Sequence, residues 1–160
     1  MSVPAAEATA EAVRSVGVTR ASARVEAYVI TLGAMLRAVV VDGQSLADVA
    51  TATARTMLGA PPDVAAPDPV VACYIDGSFD SMLHFAAKYA DLREMLLANA
   101  NSGGENVHRG LVLGALAGAA AGVAAIPDDL KQGLLHAEAI GAEIDAFVAA
   151  RVGADPQCGA

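Results

Sequence analysis

Apolar residues recur at helical spacing along most of the chain. In TRASARVEAYVITLGAMLRAVVVDG, residues 19–43, Val25, Tyr28, Val29, Leu32, Met35, Leu36 and Val39 fall on one helical face. Thr19 is the expected N-cap, and Asp42-Gly43 is the turn that ends the helix. Ser45 is placed to cap a second helix whose face carries Leu46, Val49, Ala50, Thr53 and Met57, with Gly59 closing it. Phe79, Met82, Leu83, Phe85, Ala86 and Tyr89 mark a third, expected to start at Ser78. Asp91, followed three residues later by Glu94, has the capping-box pattern of a short helix. Gly103-Gly104 interrupts that helix and another begins near Glu105. The stretch after Pro127 reads as one or two helices, broken near Gly133.

Between the second and third helices, APPDVAAPDPVVACYIDG (residues 60–77) holds four of the seven prolines and is expected to be a long connecting loop. Asp76-Gly77-Ser78 reads as its final turn, and Tyr74 as a core residue. YVITL and LRAVVV are rich in β-branched residues, but both lie inside a helical period. These patterns predict an all-α, bundle-like domain over residues 17–150. Residues 1–16 are an N-terminal extension or a frayed helix, and residues 151–160 a disordered tail.

Composition sharpens the picture. The chain has 160 residues, enough for one domain, is 55% hydrophobic and only 4% aromatic, and contains no Trp. Its apolar bulk is therefore Ala, Val and Leu, which favours closely crossing helices. A net charge of -8 repels phosphate backbones and argues against nucleic-acid binding. Cys73 and Cys158 fit neither a zinc motif nor a disulfide framework, and no secretory signal is visible, which together read as a cytoplasmic protein with reduced thiols. The longest charge-free run, Gly110–Pro127, is bounded by Gly and Pro and too short in its apolar part for a membrane span.

That run carries the candidate chemistry at its start. In SGGENVHRGLVLGALAGAAAGVAAIP, Gly110, Gly114, Gly118 and Gly122 form a small-residue ridge on a helix apolar all round, which predicts burial. Glu105, Asn106, His108 and Arg109 stand at its N-terminal end, and Glu105, His108 and Arg109 share a face at i, i+3 and i+4. A carboxylate, an imidazole and a guanidinium there can bind an anion, a metal or a sugar; they can equally satisfy one another. Asn99 and Asn101 have the same two readings, as capping residues or ligand contacts. His84 is expected to be partly buried and His136 exposed.

ACYIDGSFDSMLHFAAKYAD, LLANANSGGENVHRGLVLGALAGAAAG and IPDDLKQGL, with the upstream helical pair, resemble the ADP-ribosylglycohydrolase family over about Gly17–Val148. GGENVHRG itself resembles a crystallin-like side branch of that family. The resemblance implies an all-α fold, a two-magnesium site and hydrolysis of the glycosidic bond joining ADP-ribose to a side chain or small molecule. The family's glycine pair is followed by Asp-Xaa-Asp-Thr/Ser, matched here by Glu105, Asn106, Val107 and His108. Glu105 is then the implied magnesium ligand, and Asn106, His108 and Arg109 the implied substrate contacts. Val107 offers no donor, and His108 offers nitrogen where magnesium wants oxygen. The family's Gly-Asp-rich and Thr-Asp-Asp segments have no counterpart in this chain, so it resembles a C-terminal half. The expected ligands are ADP-ribose or an ADP-ribosylated substrate. Hydrolysis is expected to be impaired in this chain alone, leaving a non-catalytic relative or a half-domain completed by a partner chain or by self-association through an exposed apolar face.

Overall fold

The computed structural model describes residues 4–153, and these form helices and no strand. The helices are α1 (Ala5–Gly17), α2 (Ala23–Val40), α3 (Leu46–Leu58), α4 (Ile75–Lys88), α5 (Leu92–Ser102), α6 (Asn106–Ala121), α7 (Asp128–Gln132) and α8 (Ala137–Gly153). A single 3-10 turn, Val123–Ala125, follows α6. The all-α expectation is met. The expected tail begins inside α8, which runs to Gly153; residues 154–160 lie outside the described residues.

Local signals set several boundaries. The Ser45 side chain accepts from the Asp48 N–H at 3.1 Å, and that of Asp91 from the Glu94 N–H at 2.8 Å. Each satisfies one of the donors that a helix start leaves free. Two starts differ from expectation. The N–H of Thr19 donates to the carbonyl of Val16, so Thr19 belongs to the turn that follows α1, and α2 begins after the extended residue Ser22. Asp76-Gly77-Ser78 is the first turn of α4, because the Ser78 N–H already donates to the Tyr74 carbonyl. Tyr74 is 77% exposed at the N-cap position, so its expected core role is corrected.

The core is shared by α2 to α6, with Met35 from α2, Ala50 and Ala54 from α3, Leu83 and Phe85 from α4, Met95 from α5, and Leu113 and Leu116 from α6. The helix buried on all sides in its middle is α4, where every residue from Ser81 to Ala86 is buried. It packs on α3, α5 and α6. The expectation that α6 would be buried all round is not met, since Val107 and Leu111 on its outer face are 73% and 71% exposed. The glycine ridge is tight at one point only: a Cβ on Gly110 would lie 2.8 Å from Nδ2 of Asn99, while Gly114 and Gly118 have ordinary van der Waals room.

The proline-rich loop is tied to α4 through Asp68. Its carboxylate accepts from Lys88 Nζ at 2.8 Å and from the Tyr89 hydroxyl at 2.7 Å, and lies 3.3 Å from His84 Nε2. His84 is buried, as its apolar neighbours suggested. Burial would raise the Asp68 pKa, but the hydrogen bonds from Lys88, Tyr89 and His84 outweigh it and hold the carboxyl below its ordinary value. Such a depressed carboxyl stabilises the fold at pH values above its unfolded pKa of about 4 and loses that contribution as pH falls through the folded value. Asp68→Asn is therefore expected to be less stable at pH 7 and to lose less of its remaining stability between pH 5 and 2. Denaturant midpoints across that range check this; parallel pH profiles for the two proteins would count against this role of Asp68.

Candidate functional site

The end of α6 is built from the joint between α5 and α6. Gly103 ends α5 with φ 68° and ψ −152°, and Gly104 follows with φ 65°, both conformations that a side chain disfavours. The chain thereby reverses within three residues and presses against the proline-rich loop, where the Glu105 N–H donates to the Val71 carbonyl at 2.9 Å. Glu105 is the N-cap of α6, its carboxylate accepting from the His108 N–H at 3.3 Å. The same oxygen, Oε1, is paired with Nδ1 of His108. The His108 hydrogen bond holds the Glu105 carboxyl below its ordinary pKa, and only partial desolvation opposes it.

The four candidate residues separate into an outer and an inner set. The His108 side chain is 84% exposed and that of Glu105 15%. Asn106 donates from Nδ2 to the Ala100 carbonyl at 3.3 Å, closing the joint from outside. Arg109 points inward and is only 2% exposed. Its Nε donates to Asn99 Oδ1 at 2.5 Å and its Nη1 to Ser81 Oγ at 3.3 Å. Its Nη2 donates to Ser102 Oγ at 2.9 Å, to the Gly103 carbonyl at 3.1 Å and to the Asn99 carbonyl at 3.3 Å. The guanidinium also lies over the Phe85 ring, 4.7 Å from its centroid.

The i, i+4 spacing of Glu105 and Arg109 is real, yet it brings no direct contact between them. The face of a helix is a direction, and Arg109 leans back over the preceding turn into the core. Sequence reasoning missed Ser81 and Ser102, whose hydroxyls complete the guanidinium's surroundings; nothing local marks Ser81, which is 28 residues away. Asn99 has a packing role, with Nδ2 donating to the Asn106 carbonyl at 2.8 Å.

Beside this joint, α2, α4 and α6 enclose an apolar groove of about 270 Å³ lined by Tyr28, Phe79, Met82, Val112 and, at its edge, His108 and Arg109. The Tyr28 and Phe79 rings stack with centroids 4.4 Å apart. At the rim, Asp76 accepts from the Tyr28 hydroxyl at 2.7 Å and from Arg24 at 2.6 Å. Burial, then the bond to Asp76, pushes the Tyr28 phenol up to about 12. Asp80 is raised by burial and by the neighbouring Asp76 charge.

The donor set of the α6 end does not fit magnesium. That ion takes about six oxygen ligands in near-octahedral geometry. Glu105 is the joint's one carboxylate and is engaged by His108; Val107 brings no donor. Among the described residues, no three His, Cys, Asp or Glu side chains converge where a metal ion could sit. No described helix is long and apolar enough to cross a membrane.

A family model described as ADP-ribosylglycohydrolase matches residues 2–157, a span wider at both ends than the motifs that first suggested it. No curated protein and no solved structure matches the chain.

Proposed function

The chain belongs to the ADP-ribosylglycohydrolase family, and on that premise we propose that it is a member whose own hydrolytic activity is impaired. It keeps the family's helical fold and the glycine-pair joint. Cleavage at an anomeric carbon requires an activated water and stabilisation of the departing group. In glycosidases two carboxylates commonly divide that work. The observation that carries the reading is that the α6 end has one carboxylate, already bonded to His108, with Val107 at the matched position of the second. Asn106 and the exposed His108 are the surface groups through which ADP-ribose or an ADP-ribosylated substrate would be held. Arg109 is buried, with its hydrogen bonds going to Asn99, Ser81, Ser102 and Gly103. The exposed free thiol of Cys73 accords with a cytoplasmic location.

A turnover assay on an ADP-ribosylated substrate, with millimolar Mg²⁺ added, tests this. No product above the blank is expected. Product formation by the native chain that disappears in Glu105→Ala would overturn it. Calorimetric titration with free ADP-ribose then separates a binding protein, which gives heat that His108→Ala diminishes, from a non-binding, crystallin-like relative, which gives none.

The outward faces of α6 and α8 favour a second reading, in which this chain is one half of a larger helical unit. Leu111 on α6 and Phe147 on α8 are 71% and 67% exposed. Apolar surfaces of this kind are covered in working assemblies. Sedimentation at several concentrations, alone and with a candidate partner chain, checks it; a stable monomer whose turnover no partner raises would dismiss it.

A further inference from the structure

We propose that Arg109 is a built-in cation that closes the joint between α5 and α6, and that this end of α6 is consequently complete without a metal ion. The inference deepens the impaired-enzyme reading above and rests on it for the matched position of Glu105. Five oxygens surround the guanidinium: Asn99 Oδ1 and its carbonyl, Ser81 Oγ, Ser102 Oγ and the Gly103 carbonyl. All five are neutral, and they come from α4, α5 and the glycine pair. With no carboxylate among them these oxygens make a poor seat for a hard divalent cation, and here they are taken up by a side chain. The planar fork of guanidinium suits such divergent acceptors, whereas an ammonium offers three donors from one point.

The rest of the joint is closed in the same way. The Glu105 N–H goes to the Val71 carbonyl, the Glu105 carboxylate to the backbone and ring of His108, and the Asn106 amide to the Ala100 carbonyl. No buried side-chain nitrogen or oxygen among the described residues lacks a partner. The two nearest anions that act on Arg109, Glu105 and Asp68, do so through space, with no hydrogen bond to it. A cation seated at Glu105 would have to displace His108 and would face the charge of Arg109 a turn away.

The test reads thermal unfolding of the full chain in EDTA and in 10 mM Mg²⁺. The native protein is expected to unfold at the same midpoint in both, within about 1 °C. A site filled at a hundredfold excess over its Kd would raise the midpoint by several degrees. Arg109→Lys and Arg109→Met are each expected to lower it by roughly 5 °C or more, with no recovery in Mg²⁺. Three results would overturn the proposal. One is a Mg²⁺-dependent rise in the native protein that Glu105→Gln removes. Another is Mg²⁺ restoring an Arg109 variant. The third is an Arg109→Met protein as stable as the native one, which would show that five unsatisfied oxygens find other partners. If the Arg109 variants do not fold, Glu105→Gln still decides, with an unchanged Mg²⁺ response expected. Turnover by a native chain whose midpoint ignores Mg²⁺ would defeat the impaired-enzyme reading and leave this one standing.

Discussion

Gly104→Ala is expected to destabilise the chain by about 3–5 kcal/mol, a fall in unfolding midpoint on the order of 10 °C. Two costs add. Gly104 has φ 65°, where a β-carbon is strained. A methyl group there would lie 3.0 Å from the Val71 nitrogen and closer still to its carbonyl oxygen. Those atoms are backbone, so no rotamer change relieves the contact. Moving Val71 away would also break the 2.9 Å bond from the Glu105 N–H to its carbonyl. The substitution thus strikes the one point where the proline-rich loop, the end of α5 and the start of α6 meet. Chemical denaturation of the purified variant measures the loss. A loss below about 1 kcal/mol would show that the loop yields freely and that this contact does not position the α6 end. Gly103→Ala is the useful companion, because no atom lies within 4 Å of its added methyl and only the backbone strain remains.

Phe85→Ala comes next, at about 3–5 kcal/mol. Phe85 is wholly inaccessible and lies in the last turn of α4. Its ring stacks near Tyr89 with centroids 6.1 Å apart, meets the edge of His84 at 5.6 Å, and lies beneath Arg109. Truncation leaves a cavity under the guanidinium and frees two residues that hold Asp68. Phe85→Leu retains most of the apolar volume and removes the ring face, and is expected to cost about 1–2 kcal/mol. Denaturant titrations of both variants separate packing from the cation–ring contact. If the leucine variant matched the native protein, Arg109 would owe nothing to the ring. If the alanine variant lost less than about 1.5 kcal/mol, the surrounding helices would have to close over the gap.

Much of the fold was legible because it is locally encoded. The helical period of α2, α3 and α4, the Ser45 and Asp91 caps, the Gly59 stop and the break near Gly133 all depend on residues within a few positions of one another. Where a boundary was misjudged, the competing signal was also local. Thr19 is as good a terminator of α1 as a cap of α2, and Ser78 can cap a helix or lie within its first turn. The glycine pair predicts a helix start near Glu105, and α6 begins there with Glu105 as its N-cap.

Burial of α6 was less legible. Its sequence is apolar on every side, but burial depends on how many neighbours surround a helix, and the outer side of α6 has none among the described residues that cover Val107 or Leu111. The more polar α4, with Ser81 and His84 in its middle, takes the central place because α3, α5 and α6 pack around it. Its two polar side chains are tolerated there because each finds a partner, Ser81 in the Ser78 carbonyl and His84 in Asp68.

The sequence by itself determined the helices, most of their ends, the family, and the presence of a carboxylate, an imidazole and a guanidinium at the start of α6. Those follow from periodicity and from spacings of three and four residues, which a helix converts directly into neighbours. Tertiary structure alone decided what the three groups do. Glu105 and His108 pair with each other on the surface, whereas Arg109 turns inward to oxygens contributed by Ser81, Asn99, Ser102 and Gly103. A cation that cannot lose its proton must find acceptors wherever it is buried, and only the packing of α4 against α5 and α6 supplies them.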